Sequence, residues 1–176
     1  LQSMKKILLL ALLPASFLVL ASDRYWDGTD TTADADGGNG TWDTAAFIWD
    51  DAAAAGGPFN WSNSPADSAI FGGATGTVTL GAAIEAAGLT FTTTGYTLAG
   101  NTLTLSGAPV VTVGAGLTAT ATTSLASAVN VGIAGGGVFS LNPTAGNNNG
   151  LTGGVTVSGA GTMVELRGNN LGGSSV

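Results

Sequence analysis

Glu85 and Glu165 stand well apart from the other acidic residues, and a glycosidase would use two such carboxylates roughly 5 to 10 Å apart. They are 80 residues apart in sequence, a separation that a coiled chain can fold onto neighbouring faces. Each also has a plainer reading. In Met163-Val164-Glu165-Leu166-Arg167, strand alternation turns Val164 and Leu166 inward and leaves Glu165 with Arg167 as a solvated pair. Glu85 stands in the same way beside an inward Ile84. A polysaccharide lyase needs a carboxylate cluster for Ca²⁺ and a basic residue to take a proton, yet the chain has no His and, after Lys5 and Lys6, only Arg24 and Arg167 as cations. His-dependent nucleophile triads are excluded for the same reason. No catalytic residue and no cofactor is predicted.

Two other groups invite a binding role. The acidic stretch Asp27, Asp30, Asp34, Asp36, Asp43 contains Asp34-Ala35-Asp36-Gly37-Gly38-Asn39-Gly40, and a Ca²⁺ ion wants six to eight oxygens, so Asp34, Asp36 and Asp43 form a weak calcium candidate. No Glu closes an EF-hand loop, and Trp42 stands where the Gly-Gly-x-Gly-x-Asp nonapeptide requires Asp; the plainer reading is a solvated loop. Trp26, Trp42, Trp49 and Trp61 are candidates for a carbohydrate-stacking platform. The competing reading makes them a plug over the open end of a repetitive core.

Any scaffold that positions these residues must be built from a very biased chain. Lys5 and Lys6 precede an apolar run from Ile7 to Leu20 that is interrupted by Pro14, which reads as a secretory signal over residues 1–21, with Leu1-Gln2-Ser3 as leading extra residues. About 155 residues follow, enough for one domain with a core. Acidic residues outnumber the remaining cations so strongly that a polyanion would be repelled, and nucleic acid is not an expected partner. Zero Cys in an exported chain leaves stability to burial and backbone pairing. Composition then changes at Ser68. Residues 22–67 hold all four tryptophans and nine of the eleven acidic residues and read as an N-terminal cap; residues 68–176 carry only Glu85, Glu165 and Arg167 as charges.

That second part alternates with a period of two: Leu103 and Leu105 oppose Thr102 and Thr104, and Val111 and Val113 flank Thr112. Strands are predicted to begin near Ser68, Thr77, Leu89, Tyr96, Thr102, Val110, Leu117, Val129, Val138, Val155 and Thr162, each bounded by Gly or Asn. Thr77-Val78-Thr79-Leu80 recurs as Thr102-Leu103-Thr104-Leu105 after 25 residues, and Val138-Phe139-Ser140-Leu141 recurs as Met163-Val164-Glu165-Leu166 after the same interval. A period of 20 to 25 residues suits one coil of a parallel β-solenoid with three short strands. The alternative is an antiparallel β-sandwich. In a solenoid the outer Thr residues stack as hydroxyl ladders, and Asn101, Asn130, Asn142 and Asn169 are expected to stack likewise.

Taken in order, Trp26-Asp27-Gly28, Gly40-Thr41-Trp42-Asp43, Asp67-Ser68-Ala69-Ile70-Phe71-Gly72-Gly73, Thr77-Val78-Thr79-Leu80-Gly81, Gly88-Leu89-Thr90-Phe91 and Gly95-Tyr96-Thr97-Leu98-Ala99-Gly100-Asn101 resemble the start of bacterial proteins with autotransporter-associated β-strand repeats. Gly159-Ala160-Gly161-Thr162-Met163-Val164-Glu165-Leu166 through Val176 looks like one copy of that repeat, departing from it at Leu171. The resemblance implies a right-handed parallel β-helix from the passenger region of a Gram-negative surface or secreted protein, here an N-terminal fragment that stops in mid-repeat. The expected function is a non-enzymatic exported scaffold contributing to adhesion or extracellular matrix, with an extracellular glycan or surface ligand as partner and end-to-end self-association through its last coil. The alternatives are a carbohydrate-binding module and the non-catalytic start of a β-helical polysaccharide-degrading enzyme.

Overall fold

The computed structural model describes residues 21–28, 32, 34–52, 56–64, 66–143 and 150–167. Residues 1–20 of the predicted export signal 1–21, Asp30 and the final stretch 168–176, Asn169 included, lie outside the described residues. Among the described residues there are fifteen β-strands and no helix. The first three are β1 (Asp23–Trp26), β2 (Gly40–Trp42) and β3 (Trp49–Asp50). Next come β4 (Ser68–Phe71), β5 (Thr77–Leu80), β6 (Ile84–Phe91), β7 (Thr97–Gly100), β8 (Leu103–Val113) and β9 (Thr118–Ala121). The remainder are β10 (Leu125–Ser127), β11 (Val131–Ala134), β12 (Val138–Leu141), β13 (Gly150–Leu151), β14 (Val155–Val157) and β15 (Met163–Leu166).

These strands stack in three rows, which makes the chain a parallel β-solenoid of about four turns. One row, β2-β5-β7-β9-β12-β15, is a six-stranded sheet whose ladder is parallel throughout. The other two rows merge into a nine-stranded sheet because β6 and β8 each run through both, and the register shift between Ala86 and Gly88 is the bend from one row to the next. Every pairing between named strands is parallel except β1 with β3, which rules out the antiparallel sandwich.

The predicted alternation holds in the core. Leu103, Leu105, Val111 and Val113 are buried, as are Val78, Leu80, Leu89, Phe91 and Leu98. Each such side chain contributes about 1.5–3 kcal/mol on leaving water. Aromatic rings repeat along the stack: Phe71 lies on Phe91 at 4.9 Å and 14°, a spacing equal to that of adjacent strands, and Phe139 continues beyond at 6.2 Å.

One repeat assignment is corrected. Thr77 pairs with Thr97, not Thr102, so Thr77–Leu80 and Thr102–Leu105 lie on different faces. The second assignment holds, since Val138–Leu141 pairs residue for residue with Met163–Leu166. Asn101 does not join an Asn ladder among the described residues. Its Nδ2 donates to Leu80 O (2.9 Å), as its own N–H does (3.1 Å), and Thr123 Oγ1 donates to its carbonyl from above. The same double capture recurs where Thr92 N–H and Oγ1 both reach Phe71 O (2.9 and 3.2 Å) and Thr122 N–H and Oγ1 both reach Leu98 O (2.7 and 3.0 Å). Rungs are thus tied at their corners by a side chain as well as by the ladder.

The first rung belongs to the residues predicted as a cap. β1 pairs in parallel with β4 and β2 with β5, while β3 lies antiparallel on the far side of β1. Among the described residues, the row that starts at the first half of β6 has no strand beneath it. Side chains take the strand's place there: Asn63 Oδ1 accepts from Glu85 N–H (2.9 Å), Asn63 Nδ2 donates to Ala83 O (3.1 Å), and Trp61 Nε1 donates to Glu85 O (3.0 Å). A carboxamide offers the same donor and acceptor as a peptide group, so Asn63 ends the ladder without leaving polar groups bare.

Candidate functional site

The four tryptophans are 0–1% exposed and touch one another, with ring centroids at 5.0 Å for Trp26–Trp49, 5.0 Å for Trp42–Trp49 and 4.6 Å for Trp42–Trp61. A ring with no free face cannot stack on a sugar. The platform reading of Trp26, Trp42, Trp49 and Trp61 therefore gives way to the plug reading. Trp26 Nε1 donates to Gly38 O (2.9 Å), whereas the indole N–H groups of Trp42 and Trp49 are buried with no acceptor among the described residues.

The calcium candidates do not converge. Asp43 Oδ1 accepts from the backbone N–H groups of Ala45 (2.8 Å) and Ala46 (2.7 Å), and Asp34 Oδ1 accepts from Thr32 Oγ1 (2.6 Å). Among the described residues no three His, Cys, Asp or Glu side chains gather at a metal-holding distance. Glu85 and Glu165 are likewise separate, on different sheets and several rungs apart. Glu165 forms the solvated pair with Arg167, whose Nη2 donates to its Oε1 at 2.7 Å. That hydrogen bond holds the Glu165 carboxyl below, and the Arg167 guanidinium above, their ordinary ranges. Arg24 is engaged as well: Nε faces Asp67 Oδ2 at 3.4 Å and the guanidinium lies 4.2 Å over the Phe59 ring.

A different part of the surface is concave. A cleft of about 390 Å³ lies on the outer face of the nine-stranded sheet, lined by Tyr25, Ile70, Thr92, Asp34 and Asp36 with backbone at Gly72–Gly73. Its floor follows from register, because Tyr25 of β1 pairs with Ile70 of β4, both on the outward side. Its acidic wall is the segment Asp34–Gly38, pinned from two directions. Buried Asp27 and Asp50 accept backbone N–H bonds from Asp36 (3.1 Å) and Ala35 (2.9 Å). Gly38 N–H donates to Ala74 O and Ala74 N–H to Asp36 O, both at 2.6 Å. Gly37 has φ 83°, and a Cβ there would strike Gly72 O and the Tyr96 hydroxyl, so only glycine lets the segment dock this closely. Ala35, between the two exposed carboxylates, is held at φ 43°, a strained conformation for alanine. Burial raises the Tyr96 hydroxyl pKa, and that hydroxyl lies 2.6 Å from both Gly72 O and Ala74 O beneath the cleft.

Tyr25, Asp50 and Asn63 were not among the sequence candidates, and Asp27 was considered only as part of the acidic stretch. One signal was present: Trp-Asp occurs at Trp26-Asp27, Trp42-Asp43 and Trp49-Asp50, each time with the indole inward and the carboxylate accepting loop N–H groups.

No protein-family model matches the chain, and no solved structure matches it. Among curated proteins it is similar to the Adhesin BmaC autotransporter of Brucella suis biovar 1 (strain 1330), with 47% identity over 124 residues. The match spans 69% of this chain and 4% of that protein, so the chain corresponds to a small part of its relative's length.

Proposed function

This chain is a homologue of an autotransporter adhesin over most of its length, and on that premise we propose that it is a non-enzymatic scaffold of an exported surface protein that contributes to adhesion. The observation that carries the reading is the identity to the adhesin. The solenoid supports it physically. Outer positions are filled by Thr, Ala and Gly, as in the stacks Thr77–Thr97–Thr120 and Thr90–Thr112, and backbone groups pair from rung to rung. Such a body holds a ligand-bearing surface away from a membrane without chemistry of its own. Export to the surface of a Gram-negative cell goes with this role, as does contact with a ligand outside the cell.

Beads coated with the folded chain should adhere to host-cell monolayers more strongly than beads coated with an unrelated acidic all-β protein. Equal adherence of the two refutes a contribution to adhesion. Self-association is proposed through the last described rungs, where Val157, Met163 and Leu166 are exposed apolar side chains. Light scattering across a concentration series should show growth that Leu166→Lys reduces; growth unaffected by that change refutes this contact.

A further inference from the structure

We propose that the cleft at Tyr25, Ile70, Asp34, Asp36 and Thr92 binds an uncharged sugar ring. This rests on the adhesive reading for its biological setting, and it places the glycan contact on the outer face beside Tyr25, with Trp26 backing the cleft, not on the buried tryptophan cluster. At about 390 Å³ the cleft falls at the low end of ligand-holding pockets, a size that suits a monosaccharide unit more than a polymer chain. Tyr25 is partly buried and lines the cleft beside the apolar Ile70, so an aromatic side chain and an aliphatic one border the space together, the pairing on which the C–H face of a pyranose stacks. The cleft is also lined by Asp34 and Asp36, whose carboxylates accept hydrogen bonds from hydroxyls, and by Thr92, whose Oγ1, already donating to Phe71 O, retains acceptor capacity.

Preorganisation favours binding too. The wall that carries Asp34 and Asp36 is fixed by the buried Asp27 and Asp50 and by its pairing with Ala74, so little loop ordering opposes the ligand. The strained Ala35 lies on this same wall.

The electrostatics select within the class. Among the described residues no cation lines the cleft, and the chain's formal net charge is −7, so a sialic acid or uronate would meet two carboxylates there with no described cation to offset its own charge. Neutral hexoses and N-acetylhexosamines are accepted; acidic sugars are rejected.

The test is saturation-transfer NMR and calorimetry on the folded chain with methyl glucoside, methyl galactoside, methyl mannoside and N-acetylglucosamine, with N-acetylneuraminic acid as the acidic probe. At least one neutral sugar should bind saturably in the millimolar range. Tyr25→Ala should weaken it about tenfold, the loss expected for one stacked ring. Tyr25→Phe should keep the affinity within about threefold, which separates lost stacking from lost folding. An array of glycoprotein-type oligosaccharides and bacterial polysaccharides then shows which source supplies the ring. Failure of every neutral sugar to bind, equal binding by Tyr25→Ala, or preference for the acidic sugar overturns the proposal. Bead adhesion that survives Tyr25→Ala would leave the adhesive role standing while removing this site from it.

Discussion

Replacing Asn63 tests whether one side chain stands in for a missing strand. Its carboxamide takes part in three hydrogen bonds, with Glu85 N–H, Ala83 O and Trp61 Nε1. The Trp61 bond is shared with Glu85 O, so Asn63→Ala removes two exclusive bonds and half of a third. At roughly 0.5–1.5 kcal/mol per bond, discounted because water reaches the site, the loss should be about 1–3 kcal/mol. Asn63→Asp is the sharper change. It retains the acceptor for Glu85 N–H but points a carboxylate oxygen at Ala83 O, which raises its folded-state pKa, so its stability deficit should shrink as pH falls through that raised pKa toward about 4, where the introduced carboxyl has gained a proton to donate, and level off below. Urea unfolding followed by far-ultraviolet circular dichroism gives both numbers, and size-exclusion chromatography of Asn63→Ala should show added association through the bared strand edge. A loss within about 0.5 kcal/mol, with no change in elution, would refute the strand-substitute argument.

Trp49→Ala should cost about 3–5 kcal/mol, because a fully buried ring in contact with three other tryptophans is removed, while Phe47→Ala, at a side chain 57% exposed, should stay within about 0.5 kcal/mol. Trp49→Phe should fall between them, since it retains a ring and deletes a buried N–H that has no acceptor among the described residues. Thermal melts of the three variants check the order, and a Trp49→Ala melt equal to that of the natural chain would sink the plug. Burial raises the Tyr96 pKa above its ordinary 10.0, so the folded state holds its proton when the unfolded chain releases it. Stability from this group is complete below pH 10 and declines as pH rises beyond it; unfolding titrations should show that decline, and Tyr96→Phe should flatten it at a cost of about 0.5–1.5 kcal/mol from the lost hydrogen bond.

Strand positions and inward faces were legible because period-two alternation is a local property: Leu103, Leu105, Val111 and Val113 all point where their spacing says. Row membership was not. Thr77–Leu80 and Thr102–Leu105 match because both turn Thr outward and Leu inward, and that pattern is the same on every face of a solenoid. The strand Leu125–Ser127 was missed because its single large apolar residue gives no alternation to read, although both Leu125 and Ser127 are buried. Residues 22–67 read as a separate cap because of their charge and tryptophan, but β1 and β2 carry the same ladder as the coils above them. The cleft was illegible for a different reason. Tyr25, Asp36 and Thr92 come from three segments that meet only through strand register and the docking of Gly37 on Gly72, contacts that no local pattern encodes.

The antiparallel β3 beside β1 gives the stack a polarity. A parallel strand laid on β1 from that side would find its positions taken, and Asn63 occupies the matching positions under β6. In these two rows the ladder is therefore blocked on its N-terminal side, like a filament with a capped end. Each completed turn becomes the template for the next, and length can be extended by duplicating turns without redesigning the start.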